Sequence, residues 1–151
     1  MLCTRRAWSN RPDNWKTGTP GEFYLPAQKM FEDWLESNPD VDIVLSSTWR
    51  IGKNPNSFPF GWKFRIGKES KIILDRIVDV TPRLGGDLRG AEIKAFLDTH
   101  PEIEKYAIID DDSDMLPEQK QNFIQTRCSI GMTRATLQSV EEILGISKET
   151  Q

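Results

Sequence analysis

The run Tyr106-Ala107-Ile108-Ile109-Asp110-Asp111-Asp112-Ser113-Asp114 constrains this chain more than any other segment. Tyr106 to Ile109 reads as a buried strand, and it runs straight into four carboxylates within five positions. At about 4 Å each close pair repels by roughly 1 kcal/mol even in a water-like dielectric. A strand end that tolerates such crowding usually has a compensating cation. Hard carboxylate oxygens with no His or Cys beside them favour Mg²⁺ over zinc. The same run would also serve as a solvated turn in which Asp caps the residues that follow.

Other elements can be read around it. Residues 5–25 are punctuated by Gly, Pro and Asn and hold no period, and in 51–70 Phe58, Phe60, Trp62 and Phe64 alternate but Pro59 and Gly61 argue against a central strand, so both read as long loops. A helix follows Pro26, with Ala27, Met30, Phe31, Trp34 and Leu35 on one face, and Asn38-Pro39 ends it. Residues 41–47 are short, β-branched and apolar, as a buried strand should be. Residues 71–78 leave a short helix open, and Ile77 to Val80 fits a strand. A second helix spans about Asp87 to Thr99, with Ile93, Phe96 and Leu97 as its stripe. A weaker strand lies at Asn122 to Gln125. The last helix has Thr133 as N-cap, Leu137, Val140, Ile143 and Leu144 as its buried face, and Gly145 as its stop. Helices alternating with short strands point to an α/β fold with a mainly parallel sheet, whose chemistry gathers beyond the carboxyl ends of the strands.

Charge is polarised along the chain. Residues 50–71 carry six Lys or Arg against one acid, whereas residues 98–118 carry eight acids against Lys105 alone. This division suits an anionic substrate above a metal-binding patch, and an uneven surface charge would look the same. No apolar run is long enough to span a membrane, no secretory signal follows the basic start, and the only cysteines are Cys3 and Cys128. A reducing cytoplasm is the expected location.

Two further segments could carry chemistry. Ser46-Ser47-Thr48-Trp49-Arg50 places three hydroxyls and a cation at the end of the 41–47 strand, where they could donate to a phosphate. Arg89-Gly90 places a cation at a helix start, a reasonable anion site. In this order, with Thr81-Pro82, Ala91-Glu92-Ile93, the Ile108 to Met115 stretch and Gly131-Met132-Thr133, they resemble the later motifs of the haloacid dehalogenase (HAD) superfamily of phosphohydrolases. The likeness is closest to the small HAD domains grouped with "Swiss Army Knife" RNA repair proteins, and it covers about residues 1 to 145.

The resemblance implies one domain over residues 1–151, a three-layer Rossmann-like sheet, and loops 5–25 and 51–70 on the substrate side. It also implies that Ser46, or its neighbour Ser47, binds the transferring phosphoryl group, and that Arg89 stabilises its charge. Thr48 and Arg50 would join Ser47 in binding substrate. Asp110 and Asp111, with Asp114, would hold Mg²⁺. The family's first motif, an apolar strand ending in Asp-x-Asp-Gly whose first Asp is the nucleophile, has no counterpart in this chain. That strand is central in the family's sheet, so its loss would leave unpaired backbone on both neighbours. The expectation is therefore an N-terminally incomplete domain, inactive until the strand is supplied. A start at an internal Met is the favoured explanation; a fragment completed by another chain and a decayed relative are the others.

Two functional classes follow. One is a Mg²⁺-dependent phosphohydrolase acting on a phosphate monoester, either a small molecule or a nucleic-acid end. The other is a non-catalytic HAD-like remnant that binds phosphorylated ligands or nucleic acid. Arg5, Arg6, Trp8, Arg11, Trp15 and Lys16, with the aromatic and basic residues from Trp49 to Arg65, would suit stacking on bases, or would simply pack under the long loops. His100 reads as a helix-end residue rather than a catalyst.

Overall fold

The computed structural model describes residues 25–46, 70–84, 88–127 and 132–146. Among them, four helices and four strands alternate with one 3₁₀ turn. They are α1 (Leu25–Ser37), β1 (Ile43–Leu45), α2 (Lys71–Arg76), β2 (Ile77–Val80), α3 (Arg89–Asp98), β3 (Ile108–Asp110), the 3₁₀ helix Pro117–Asn122, β4 (Phe123–Gln125) and α4 (Arg134–Leu144). The architecture is α/β, as the alternation in the sequence leads one to expect. Loops 5–25 and 51–70 lie outside the described residues except for Leu25 and Ser70.

Each helix forms where apolar spacing and end chemistry agree. Phe31 and Leu35, one turn apart on α1, are buried, with Met30 and Trp34 packed beside them. Ser70 caps α2, its Oγ accepting from the Ile73 amide at 3.1 Å. Thr133 caps α4 through the Thr136 amide at 3.3 Å, and Gly145 closes it in the left-handed region at φ 69°. The indole of Trp34 donates to Glu141 Oε1 at 3.0 Å, fastening α1 to α4.

The strands form two parallel pairs. β1 lies beside β2 with Ile43 opposite Ile77 and Leu45 opposite Val80, and the ladder shifts between Ile43 and Val44. β3 lies beside β4 in register, Ile108 opposite Phe123 and Asp110 opposite Gln125. The pairing is parallel, as expected, and the described residues hold two sheets of two strands each. Isolated two-stranded ribbons are marginal in water, so the core must join them. Phe31, Leu35, Ile43, Leu45, Ile73, Met132 and Leu137 form that core, and Ile109 of β3 packs against it.

Two boundaries differ from the sequence expectation in ways that matter. The strand expected at 106–109 runs instead from Ile108 to Asp110, so Asp110 ends the ladder, buried, rather than opening the loop. The helix expected from Asp87 begins at Arg89. Among the described residues no helix is long and apolar enough to cross a membrane.

One polar residue holds the end of α1 in a way its sequence position conceals. Arg76 donates to the carbonyls of Asn38 at 3.0 Å and Val41 at 2.7 Å, and also to that of Leu35. The last carbonyls of a helix lack intrahelical partners; Arg76, with Asn38 Nδ2 on the Trp34 carbonyl at 2.8 Å, supplies them. Replacing Arg76 with Met keeps the stem and removes these donors. The variant should lose about 2 kcal/mol of stability in urea unfolding, with an unchanged slope.

Candidate functional site

A buried polar residue stands at the carboxyl end of each described strand: Ser46 after β1, Thr81 after β2, Asp110 in β3 and Thr126 after β4. Ladder bonds continue into two of these residues, from the Thr81 amide to the Leu45 carbonyl at 3.0 Å and from Thr126 to Asp110 at 2.9 Å. In open α/β sheets this is the edge where ligands bind. Burying such groups costs free energy unless they are satisfied, so their recurrence at one kind of position marks it as a candidate site.

The acidic loop is organised around Arg89. The guanidinium of Arg89 donates from Nη1 to Asp110 Oδ2, and Nη2 lies 3.9 Å from Asp112 Oδ2. Asp110 Oδ1 accepts from the Asp112 amide at 2.9 Å. Burial works against the charge on Arg89, but its hydrogen bond to Asp110 and the fields of Asp110, Asp114 and Asp112 outweigh it and raise its pKa.

Asp114 performs a different task. Leu88, at the cap position of α3, has no side-chain acceptor to offer the first helical amides. Asp114 substitutes for it, its Oδ2 accepting from the Arg89 amide at 3.0 Å and its backbone carbonyl from Gly90 at 3.2 Å. An anion at a helix start also suits the helix dipole. Asp114 Oδ1 is buried and has no hydrogen-bond partner among the described residues.

A carboxylate oxygen from each of Asp110, Asp111 and Asp112 lies within 4.8 Å of the others. Among the described residues these three are close enough together to hold a cation, and Asp112 thus joins Asp110 and Asp111 in that group. An all-oxygen donor set with no His or Cys matches a hard cation such as Mg²⁺. The orphaned Asp114 oxygen nearby is a further point at which positive charge or a bound water would be accommodated. Asp111 shows what the crowding costs. Burial, then its hydrogen bond with Asp110 and the charges of Asp110 and Asp112, push its pKa above the usual carboxylate range.

Sequence reasoning missed the residue that joins the helix to the loop. Gln119, in the 3₁₀ turn, is fully buried; its Nε2 donates to the Gly90 carbonyl at 2.9 Å and its Oε1 accepts from the Leu116 amide at 2.9 Å. Pro117 at the first helical position signals a turn here. Nothing in the polar run Glu118 to Asn122 marks which side chain turns inward. Gly90 leaves the space: a Cβ there would stand 2.6 Å from both Gln119 Oε1 and the Leu116 amide.

Arg89, Asp110 and Asp111 thus share one locality, with Asp112 and Asp114. Ser46 lies at the end of the other strand pair. Ser47, Thr48 and Arg50 lie outside the described residues, as do Cys3, Cys128 and most of the aromatic and basic stretches. His100 stands apart at the end of α3, stacked on Phe96 with ring centroids 3.9 Å apart and Nε2 3.8 Å from Asp79 Oδ2.

The model of one protein family, the HAD domain in Swiss Army Knife RNA repair proteins, matches residues 2–137. No curated protein and no solved structure matches the chain.

Two outcomes test this geometry. Gly→Ala within a helix ordinarily stabilises by about 1 kcal/mol. Gly90→Ala should instead destabilise by about 1–3 kcal/mol, because a backbone amide is in the way. Chemical denaturation reads the sign directly. For Asp111, a raised native pKa means the native state holds the proton more tightly than the unfolded chain. Stability then falls as pH rises from about 3.9 through the native value. Asp111→Asn should therefore raise the melting temperature at pH 7 without divalent cations, and the gain should disappear below about pH 3.5.

Proposed function

We propose, for a chain that belongs to the family of HAD domains in Swiss Army Knife RNA repair proteins, a Mg²⁺-dependent phosphate-monoester site at the carboxyl end of β3. The observation that carries this reading is the pairing of Arg89 with Asp110 inside a cluster of three carboxylates able to hold a cation. Asp110, Asp111 and Asp112, with Asp114 beside them, would hold Mg²⁺, which when bound offsets charge on phosphoryl oxygens.

The remaining roles belong to the chain's own side chains. In-line phosphoryl transfer spreads negative charge over three equatorial oxygens. Arg89, fixed at the start of α3, offers planar donors to that charge. Ser46, buried after β1, offers one hydroxyl to the same group, and Ser47, Thr48 and Arg50 extend the donor set toward substrate. The RNA-repair family and the aromatic–cation interleaving in residues 5–25 and 49–65 favour a nucleotide or nucleic-acid end as the phosphate source, with those loops of the single domain on the substrate side.

The two strand pairs fit this reading as flanks of one three-layer sheet. β1 and β3 each have a described partner on one side only, and both pack on the same core. A strand between them would complete the sheet, and in the resembled family that strand carries the Asp nucleophile. A second reading, phosphate binding without turnover, uses the same residues and needs no such strand.

Calorimetry and a chromogenic aryl phosphate separate the possibilities. Inorganic phosphate should bind in the presence of Mg²⁺, and Asp110→Asn/Asp111→Asn should weaken Mg²⁺ binding by more than about 10-fold. A chain extended at its start by a strand ending in Asp-x-Asp-Gly should hydrolyse the ester if the first reading is right, and remain inert if the second is. Turnover undiminished in the double Asn variant would overturn the metal assignment.

A further inference from the structure

The carboxylates able to hold a cation already carry one. Arg89 occupies Asp110 Oδ2 and faces Asp112, while Asp110 Oδ1 takes the Asp112 amide. The one positive charge of the guanidinium therefore faces two of the three members of the cation-holding group, hydrogen-bonded to Asp110 and 3.9 Å from Asp112. A divalent ion seated among Asp110, Asp111 and Asp112 would add its charge beside that of Arg89 and would compete for the same oxygen. We infer that Arg89 is a built-in counter-ion for the acidic loop, and that cation binding displaces its guanidinium from Asp110 and thereby makes it available to phosphate. This inference rests on the metal-site reading proposed above and adds to it the order of binding.

The surroundings allow only the side chain to move. The Arg89 amide is held by Asp114 Oδ2, the Gly90 amide by the Asp114 carbonyl, and the Gly90 carbonyl by Gln119 Nε2. With no room for a Cβ at residue 90, the first turn of α3 is docked tightly against residues 115 and 116. Among the described residues the guanidinium is bound by side-chain contacts, to Asp110 and to the exposed Asp112. A side chain with an anchored root and an exchangeable head can pass from carboxylate to phosphate without a backbone rearrangement. Arg suits that exchange because its planar fork matches both anions.

Competition has a measurable signature. Without the guanidinium, Asp110 is available from the outset, so Arg89→Met should bind Mg²⁺ on the order of 10-fold more tightly than the natural chain. Adding inorganic phosphate should tighten Mg²⁺ binding in the natural chain, since the displaced guanidinium gains a new partner, and should have little effect in Arg89→Met. Removing any cation beside a cation site strengthens binding through charge alone, so the natural chain supplies the decisive readout. Titration with Mg²⁺, followed by the Arg89 Nε–Hε resonance, should carry that signal from its paired position to that of a solvated arginine, and phosphate should shift it again. If Mg²⁺ binds by calorimetry while the Arg89 resonance stays in place, or if Arg89→Met binds no more tightly, the exchange is wrong and the metal site stands. If neither the natural chain nor Arg89→Met binds Mg²⁺, both the exchange and the metal-site reading fall.

Discussion

Carboxylates crowded at the end of one strand repel each other, and the local fold is arranged around relieving that repulsion. Arg89 comes from a helix that begins 21 residues before Asp110 and places its charge on the buried member of the group. Asp114 turns away from the cluster to cap that helix. Asp111, which has neither role, is left with a pKa raised above the ordinary carboxylate range. Three neighbouring aspartates are thus distinguished by the partner that each one finds.

The second constraint is the close approach that brings Arg89 there. Helix α3 starts without a capping side chain of its own, and its first amides would be orphaned were they not turned onto Asp114. That contact brings residue 90 against the backbone of residues 115 and 116, which excludes any side chain larger than hydrogen. Gln119 then fills the remaining space and satisfies a carbonyl on the helix and an amide on the loop. Glycine, glutamine and aspartate form one unit here, and the position of the guanidinium follows from it.

Elements were legible in the sequence wherever a period and a terminator coincided. Pro26 and Asn38-Pro39 bracket α1, Thr133 and Gly145 bracket α4, and the alternation with short apolar runs gives the α/β class. Boundaries failed where a tertiary contact decided them: Asp110 belongs to β3 because the Thr126 amide continues the ladder onto its carbonyl, a pairing partner 16 residues away. The acidic run and Arg89 were legible as chemistry because charge density is a local property. The closeness of Asp112 to Asp110 and Asp111, and the capping of the helix by Asp114, were not, because both depend on which carboxylate the uncapped helix claims. Gln119 and Arg76 were invisible for the same reason, since each bonds backbone atoms more than 28 residues away.

At Thr126, burial of the hydroxyl does not serve stability. An apolar side chain at Thr126 would avoid the cost of a hydroxyl that finds no hydrogen-bond partner among the described residues, a cost of roughly 1–3 kcal/mol. The same holds for the orphaned oxygen of Asp114, whose other oxygen alone performs the capping. Within the proposed site these atoms lie at the edge where a hydrated cation and a phosphate would be received, and their unmet bonding capacity is what a ligand would satisfy. Partnerless oxygens beside the Arg89–Asp110 pair, on a backbone held in place, are the pattern of a site whose ligand, rather than the protein, completes its hydrogen bonding.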